Sequence, residues 1–188
     1  MPTMLSCLGL LAAALALDAV HAGAQGLAKG LKSAAVFTLA SPAFADKGTL
    51  PVKYSCDGEG VRPPLEWAKF PNGTRSFVLV LDDASNRRTS WSRWVVYGIP
   101  ATVTSLPEGA PLPEGIREGR SDWDKPGYDP PCAEKGKREY VVTLFALNAV
   151  LPELGPDATR ADVLNATDGK VIGWGRLSFS YERAQRAR

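Results

Sequence analysis

Residues 75–83 read RSFVLVLDD, and five consecutive apolar side chains, Phe77 to Leu81, stand at the centre of this stretch. A strand that is covered on both faces has this continuous pattern, because both of its faces must be apolar. The two carboxylates that follow, Asp82 and Asp83, point to opposite faces if the strand continues through them. The stretch therefore predicts a central strand with one carboxylate on each side, and no paired-carboxylate hydrolase site.

Further short runs of strand-forming residues flank this stretch and are separated by turn residues. In the last run, Ser178 and Ser180 alternate with apolar residues, which predicts a half-exposed strand. One helix is predicted, because Thr159 and Asp162 form a capping-box pattern and Gly169 can close the helix. The fold is therefore predicted to be mainly β, with few short helices. The other predicted strands are Phe37 to Leu39, Val52 to Tyr54, Leu65 to Trp67, Trp94 to Ile99, Tyr140 to Leu147 and Leu177 to Tyr181.

The composition is that of one soluble globular domain, with 188 residues, 45% hydrophobic and 22% charged. The formal net charge of +2 is too small and too scattered for a nucleic-acid binder, so no nucleic-acid partner is expected. No break along the chain resembles a domain boundary. We predict a loose N-terminal arm over residues 25–35, one β-rich domain over residues 36–183 and a basic C-terminal tail over residues 184–188.

The N-terminus carries an apolar run from Met4 to Leu17, which is shorter than the roughly 20 residues that a membrane-spanning helix needs. Small residues at Ala22 and Ala24 fit a cleavage site after either position. Residues 1–24 are therefore predicted to be a cleavable signal peptide, and the protein to be secreted or periplasmic, with no transmembrane segment in the mature chain. The alternative is an uncleaved peripheral anchor.

Cleavage would remove His21, the only histidine of the chain, together with Cys7. A mature protein without histidine excludes Ser-His-Asp and Cys-His catalysis and histidine-ligated zinc. Cys56 and Cys132 would remain, and an oxidising compartment favours a disulfide between them. The alternative is a pair of buried thiols.

Six blocks of sequence occur in the order in which one protein family carries them, and together they span nearly the whole predicted mature chain. They resemble the phosphatidylethanolamine-binding proteins, in particular the bacterial branch known as Raf kinase inhibitor-like proteins. The resemblance implies a β-sandwich around a central sheet, with a small anion-binding cavity at one edge and no catalysis. The blocks are YSCDGEGVRPPLEW (54–67), RSFVLVLDD (75–83), WSRWVVYGIP (91–100), LPEGIREGRSDW (112–123), GYDPPC (127–132) and REYVVTLFAL (138–147).

The cavity is where this chain departs most from the family pattern. Asp83 and Tyr140 are retained, but the two positions where the family carries histidine hold Arg93 and Arg138. Glu134 lies where the family has the second residue of a Pro-Pro pair. Arginine is always charged and offers a planar fork of donors that suits phosphate or carboxylate. Two arginines in one cavity would therefore bind a dianion more strongly than two imidazoles.

A competing hypothesis is that Arg93 and Arg138 pair with Asp83 and Glu134 and fill the pocket. We therefore predict a non-catalytic protein that binds a small anion, such as phosphate or a phospholipid head group, or that modulates a protein partner. The alternatives are an inhibitor module whose pocket has degenerated and a secreted hydrolase with a Ser-Lys or metal site. No cofactor and no metal are expected. Candidate site residues are Asp83, Trp91, Arg93, Trp123, Glu134, Arg138 and Tyr140, with Cys56 and Cys132 as the disulfide.

Overall fold

The computed structural model describes residues 33–85 and 91–183. The predicted signal peptide, the first part of the predicted arm and the predicted basic tail lie outside these residues. Within them the chain forms ten strands and one α-helix. In chain order these are β1 (Ala35–Val36), β2 (Thr38–Ala40), β3 (Gly48–Thr49), β4 (Leu65–Ala68), β5 (Ser76–Asp83), β6 (Trp91–Pro100), β7 (Ser105–Leu106), β8 (Arg117–Gly119), β9 (Lys137–Leu147), α1 (Arg160–Ala166) and β10 (Val171–Glu182).

Two sheets are stacked on one another. The large sheet has the order β1-β10-β9-β5-β6-β8, and β3 pairs with β10 on the same edge as β1. The small sheet has the order β2-β4-β7. The predicted mainly β, single-domain fold is therefore confirmed. No helix in the described part of the chain is long and apolar enough to cross a membrane.

Apolar residues cover the large sheet on both of its faces. The inner cluster lies between the two sheets and contains Phe77, Leu79 and Leu81 of β5. The outer cluster contains Val78 and Val80, which pack beneath α1. Burial of this much apolar surface is the main favourable contribution to folding. The prediction that β5 is a central strand covered on both sides is thereby confirmed.

Helix α1 has the predicted start. The Thr159 hydroxyl accepts the Asp162 backbone N–H, and the Asp162 carboxylate accepts the Thr159 backbone N–H at 2.9 Å. This capping box satisfies N–H groups that the first helical turn would otherwise leave unpaired. Val163 is buried and joins α1 to the outer cluster.

Two local predictions were wrong. Val52–Tyr54 is a 3-10 turn and not a strand, although its residues favour strands. A Cβ on Gly58 would lie 2.1 Å from the Val52 carbonyl oxygen, so the following loop folds back tightly onto this turn. Ser180 is buried and not half-exposed, because its neighbour β3 covers that edge of β10.

The N-terminal arm also ends earlier than predicted. Ala35 pairs with Gly173, and Val36 pairs with Trp174, so strand pairing begins at Ala35 within the residues that the structure describes. After Phe37 the chain leaves the large sheet and enters the small one as β2. Of the predicted strand from Phe37 to Leu39, Thr38 and Leu39 lie in β2, whereas Phe37 lies between β1 and β2 and belongs to neither strand.

Candidate functional site

The main candidate site is a cavity of about 610 Å³ where the end of β5 meets the beginnings of β6 and β9. Strand register brings its residues together, because Asp83 of β5 lies opposite both Trp91 of β6 and Tyr140 of β9. The loop of residues 121–134 forms the remaining wall. The lining residues are Cys56, Asp83, Trp91, Arg93, Asp122, Trp123, Asp129, Pro130, Cys132, Glu134 and Arg138. Every predicted site residue except Tyr140 therefore lines this one cavity.

Arg93 is held by protein groups on several sides. Its Nη1 atom pairs with the Asp129 carboxylate and donates to the Pro130 carbonyl oxygen at 3.1 Å. Its guanidinium lies 4.0 Å from the centre of the Trp123 ring, which is a cation–π contact. The side chain is only 7% exposed. Its Nε atom is buried and has no hydrogen-bond partner among the described residues. Arg93 is therefore part of the cavity wall, and its burial gives a ligand little access to it.

Arg138 is the accessible cation of the cavity. Its Nη1 atom lies 3.1 Å from the Asp83 carboxylate, and its side chain is 40% exposed. Asp83 is 4% exposed and also accepts the Ser85 backbone N–H at 3.0 Å. A guanidinium has five N–H donors, so one ion pair leaves Arg138 able to bind a second anion.

The predicted pairing of both arginines with Asp83 and Glu134 is partly corrected. Arg138 does pair with Asp83, but the partner of Arg93 is Asp129. The reason is the path of the 121–134 loop along β6, in which the Asp129 backbone N–H donates to the Arg93 carbonyl oxygen at 2.9 Å. This backbone contact brings the Asp129 carboxylate to the guanidinium.

Acidic side chains outnumber basic ones around the cavity. Besides Asp83 and Asp129, the lining contains Asp122 and Glu134, so among the described residues four carboxylates face two arginines and give a formal charge of −2. Asp122 accepts the Ser92 backbone N–H at 2.6 Å, which fixes this loop residue against β6. The roles of Asp122 and Asp129 in the cavity were missed from sequence, because loop contacts with a distant strand leave no local pattern.

Two exposed indole rings form the aromatic wall of the cavity. Trp91 is 50% exposed and Trp123 is 40% exposed, and their ring centroids lie 5.8 Å apart in an edge-to-face arrangement. Large exposed aromatic side chains are unusual on a protein surface unless they contact a ligand or partner. The predicted position of both tryptophans at the cavity rim is therefore what the structure shows.

Tyr140 lies behind the cavity wall and stabilises it through hydrogen bonds. Its hydroxyl donates to the Cys132 carbonyl oxygen at 3.0 Å, and it accepts the Cys132 backbone N–H at 3.1 Å. Burial, with a smaller contribution from the Asp83 charge, raises the pKa of Tyr140 to about 12. The hydroxyl stays protonated at neutral pH and positions the Cys132 backbone behind the cavity wall.

The Cys56–Cys132 disulfide joins the two loops on one side of the cavity, with 5.3 Å between the Cα atoms. The predicted disulfide is therefore present. The Arg183 guanidinium lies 3.5 Å from the Cys56 sulfur and pairs with Asp57 at 2.8 Å.

A basic depression of about 470 Å³ adjoins the cavity. It shares Asp83, Trp91 and Arg138 with the cavity and adds Lys135 and Lys137. The rim beside Arg138 is therefore positively charged, whereas the cavity itself is negatively charged. The site presents both signs of charge to a small ligand.

Comparisons with known proteins agree on one family. The family model described as phosphatidylethanolamine-binding protein matches residues 40–182. A UPF0098 protein from Methanothermobacter thermautotrophicus is 39% identical over 149 residues, which are 77% of this chain and 98% of that protein. A UPF0098 protein from Aquifex aeolicus is 34% identical over 154 residues, which are 79% of this chain and 90% of that protein.

Two solved structures have the same fold. A phosphatidylethanolamine-binding protein homologue from Chlamydia trachomatis has a TM-score of 0.73 at 32% identity, with 79% of this chain and 99% of that chain covered. YbcL from Escherichia coli has a TM-score of 0.72 at 26% identity, again with 79% of this chain and 99% of that chain covered.

Proposed function

This chain belongs to the phosphatidylethanolamine-binding protein family, and from that premise we propose that it is a non-catalytic binding protein for a zwitterionic phosphate ester. The ligand would resemble a phospholipid head group, with a phosphate at one end and an ammonium at the other. The family name supports a ligand of this class. The sharper support comes from the charges around the cavity.

The observation that carries the proposal is that both arginines already have a carboxylate partner. Asp122 and Glu134 add two further carboxylates, so the described lining of the cavity has a formal charge of −2, which disfavours a bare dianion. An ammonium group would be attracted by Asp122 and Glu134 and by the faces of the two exposed tryptophans. The phosphate would bind at the opposite end, at Arg138 and the basic rim. A ligand with both charges satisfies both parts of the site.

Calorimetric titration of the protein with phosphoethanolamine, inorganic phosphate and ethanolamine tests this proposal. We expect phosphoethanolamine to bind about tenfold more tightly than either half alone, because only the whole molecule contacts both ends of the site. Arg138→Gln should weaken phosphoethanolamine and phosphate alike. Trp91→Ala should weaken phosphoethanolamine and ethanolamine only.

Arg117→Gln is a matched control, since Arg117 is an exposed arginine that pairs with Glu153 far from the cavity. It should leave all three titrations unchanged. Phosphate binding as tight as that of phosphoethanolamine would contradict the zwitterion. Release of free phosphate from phosphoethanolamine, with turnover, would contradict a non-catalytic role.

A protein partner is the second candidate, and the exposed edge-to-face pair of Trp91 and Trp123 favours it. Aromatic side chains of this kind dominate many protein interfaces. Under this alternative the cavity binds no small ligand, and the surface around it binds and inhibits a protein partner. Absence of heat with all three small molecules at millimolar concentration would contradict the head-group proposal and support this one.

The disulfide supports a location outside the reducing cytosol. Structural disulfides persist mainly in secreted and periplasmic proteins, and Cys56 and Cys132 are joined in the fold. We therefore propose the secreted or periplasmic location that the N-terminal sequence predicts. Detection of the mature N-terminus after Ala22 or Ala24 in an extracellular fraction would test it.

A further inference from the structure

A second recess lies on the other face of the large sheet. Asp83 lines the cavity described above, whereas its neighbour Asp82 lines a groove of about 420 Å³. Successive strand residues point to opposite faces, so the two recesses are separated by the thickness of the sheet. Volumes of this size are typical of small-molecule sites. We call this recess the outer groove.

The floor of the outer groove is built by the register of three neighbouring strands. Arg176 of β10 lies opposite Thr143 of β9, and Thr143 lies opposite Val80 of β5. Two residues further along β5, Asp82 lies opposite Val141 of β9. Helix α1 forms one side wall through Leu164 and Arg160, and Trp174 and Phe145 form the far end.

The charged groups of the outer groove differ in whether they already have an ion-pair partner. Arg160 donates to both carboxylate oxygens of Asp82, at 3.0 and 2.8 Å, so these two charges neutralise each other. Arg176 is exposed, and no ion pair or hydrogen bond of its side chain occurs within residues 33–85 and 91–183. The groove therefore has a formal charge of +1, located at Arg176.

We infer that the outer groove binds a small organic monoanion, a carboxylate on an unbranched apolar body such as a medium-chain fatty acid. The ligand's carboxylate pairs with the Arg176 guanidinium. Thr143 lies directly opposite Arg176 on the neighbouring strand, so its hydroxyl is placed to donate a second hydrogen bond. The apolar body lies along Val141 and Leu164 toward Trp174.

The charge and the walls select this class of ligand. The carboxylate of Asp82 is occupied by Arg160, so the groove offers a cation no free counter-charge. One accessible guanidinium suits a single negative charge better than a phosphate dianion. The mostly aliphatic and aromatic walls favour a ligand whose remaining surface is apolar.

Titration of the full-length protein with decanoate and with decanol, both below their aggregation limits, tests the inference. The two probes have the same apolar chain and differ in the carboxylate. We expect decanoate to bind one site per chain, about tenfold more tightly than decanol. Arg176→Gln should remove this preference, so that both probes bind with the weaker affinity of decanol.

Three further variants separate the outer groove from the rest of the molecule. Val141→Trp should fill the floor and abolish binding of both probes. Arg138→Gln changes the cavity on the opposite face and should leave decanoate binding unchanged, so failure of the proposed head-group function would not affect this result. Arg117→Gln is the matched surface-arginine control, and circular dichroism establishes that each variant is folded.

Equal affinity of the wild type for decanoate and decanol would overturn the inference. So would the absence of decanoate binding at millimolar concentration, or an unchanged preference in Arg176→Gln. Loss of decanoate binding in Arg138→Gln would place the carboxylate in the cavity and would also overturn it.

Discussion

Arg93 and Arg138 both lie at positions where the family pattern has histidine, but their surroundings give them different roles. Arg93 is almost completely buried between an aspartate and an indole ring, whereas Arg138 keeps a large exposed surface. Burial decides how much an ion pair contributes, because a buried charge without its partner is costly and an exposed one is solvated. The two arginines should therefore respond differently to substitution.

Arg93→Gln should lower the free energy of unfolding by about 3 kcal/mol, since it leaves the Asp129 carboxylate without its cation in a poorly solvated position. Arg138→Gln should lower it by a smaller amount, about 1 to 2 kcal/mol, because the arginine that is removed is 40% exposed, although the buried Asp83 carboxylate keeps only the Ser85 backbone N–H as a partner. Urea unfolding measures both values. Asp129→Asn in the Arg93→Gln background should recover part of the loss. Equal effects of the two arginine substitutions would contradict the assigned roles.

The buried tyrosines give the protein a predictable sensitivity to alkaline pH. Burial raises the pKa of Tyr140 from 10 to about 12, and burial also raises the pKa of Tyr128. The unfolded chain loses these protons near pH 10, whereas the folded chain retains them, so stability is complete below pH 10 and falls as pH rises toward 12. Ultraviolet absorbance of tyrosinate and urea unfolding at each pH measure the effect.

Tyr140→Phe provides the matched variant for this pH dependence. It should be less stable at neutral pH, because the Cys132 backbone loses its hydroxyl partner. Its loss of stability between pH 10 and 12 should nevertheless be smaller than that of the wild type. The same slope in both proteins would show that Tyr140 does not contribute to the titration.

At the scale of single elements, α1 depends on its capping box. Thr159→Ala removes the hydroxyl that accepts the Asp162 backbone N–H, and we expect a loss of about 1 kcal/mol in the free energy of unfolding. Asn165→Ala, an exposed position on the same helix, should have almost no destabilising effect. Thermal or urea unfolding distinguishes the two variants. An equal loss in both would argue that the cap is not the cause.

Elements with a strong local pattern could be predicted from the sequence, and elements made by distant contacts could not. The apolar run of β5 and the Thr159 cap of α1 require only neighbouring residues. The two-residue strands β1 and β3 exist because β10 offers a free edge, which no local pattern records. Val52–Tyr54 has strand-forming residues, but the tight loop after it imposes a turn.

The candidate site shows the same division. Asp83, Arg93 and Arg138 could be located from the sequence because they lie in blocks that resemble those around the family's cavity, and the strands that carry them meet there. Asp122 and Asp129 lie on a loop, and their positions depend on backbone contacts with β6 that only the folded chain reveals. The sign of the cavity charge follows from these two loop residues. The sequence-based prediction counted Asp83 and Glu134 against the two arginines and therefore omitted two of the four carboxylates in the described lining.

At the scale of the whole molecule, the large sheet separates two recesses of opposite charge. Asp82 and Asp83 are adjacent in sequence, yet each pairs with a different arginine on a different face. The buried β-strand between the two recesses is the most apolar segment of the core. Both proposed ligands can therefore bind at once, and each can be tested without disturbing the other.

The Cys56–Cys132 disulfide ties together loops that are 76 residues apart and that both line the cavity. Closing so long a loop restricts the unfolded chain, so reduction should lower the free energy of unfolding by about 3 kcal/mol. Reduction should also weaken phosphoethanolamine binding, because the disulfide no longer holds the Cys132 loop next to Cys56 and the cavity wall becomes less well defined. Urea unfolding and calorimetry with and without reductant measure both effects. The double variant Cys56→Ser with Cys132→Ser should match the reduced protein and respond to reductant no further; a response there would assign the effect to another group.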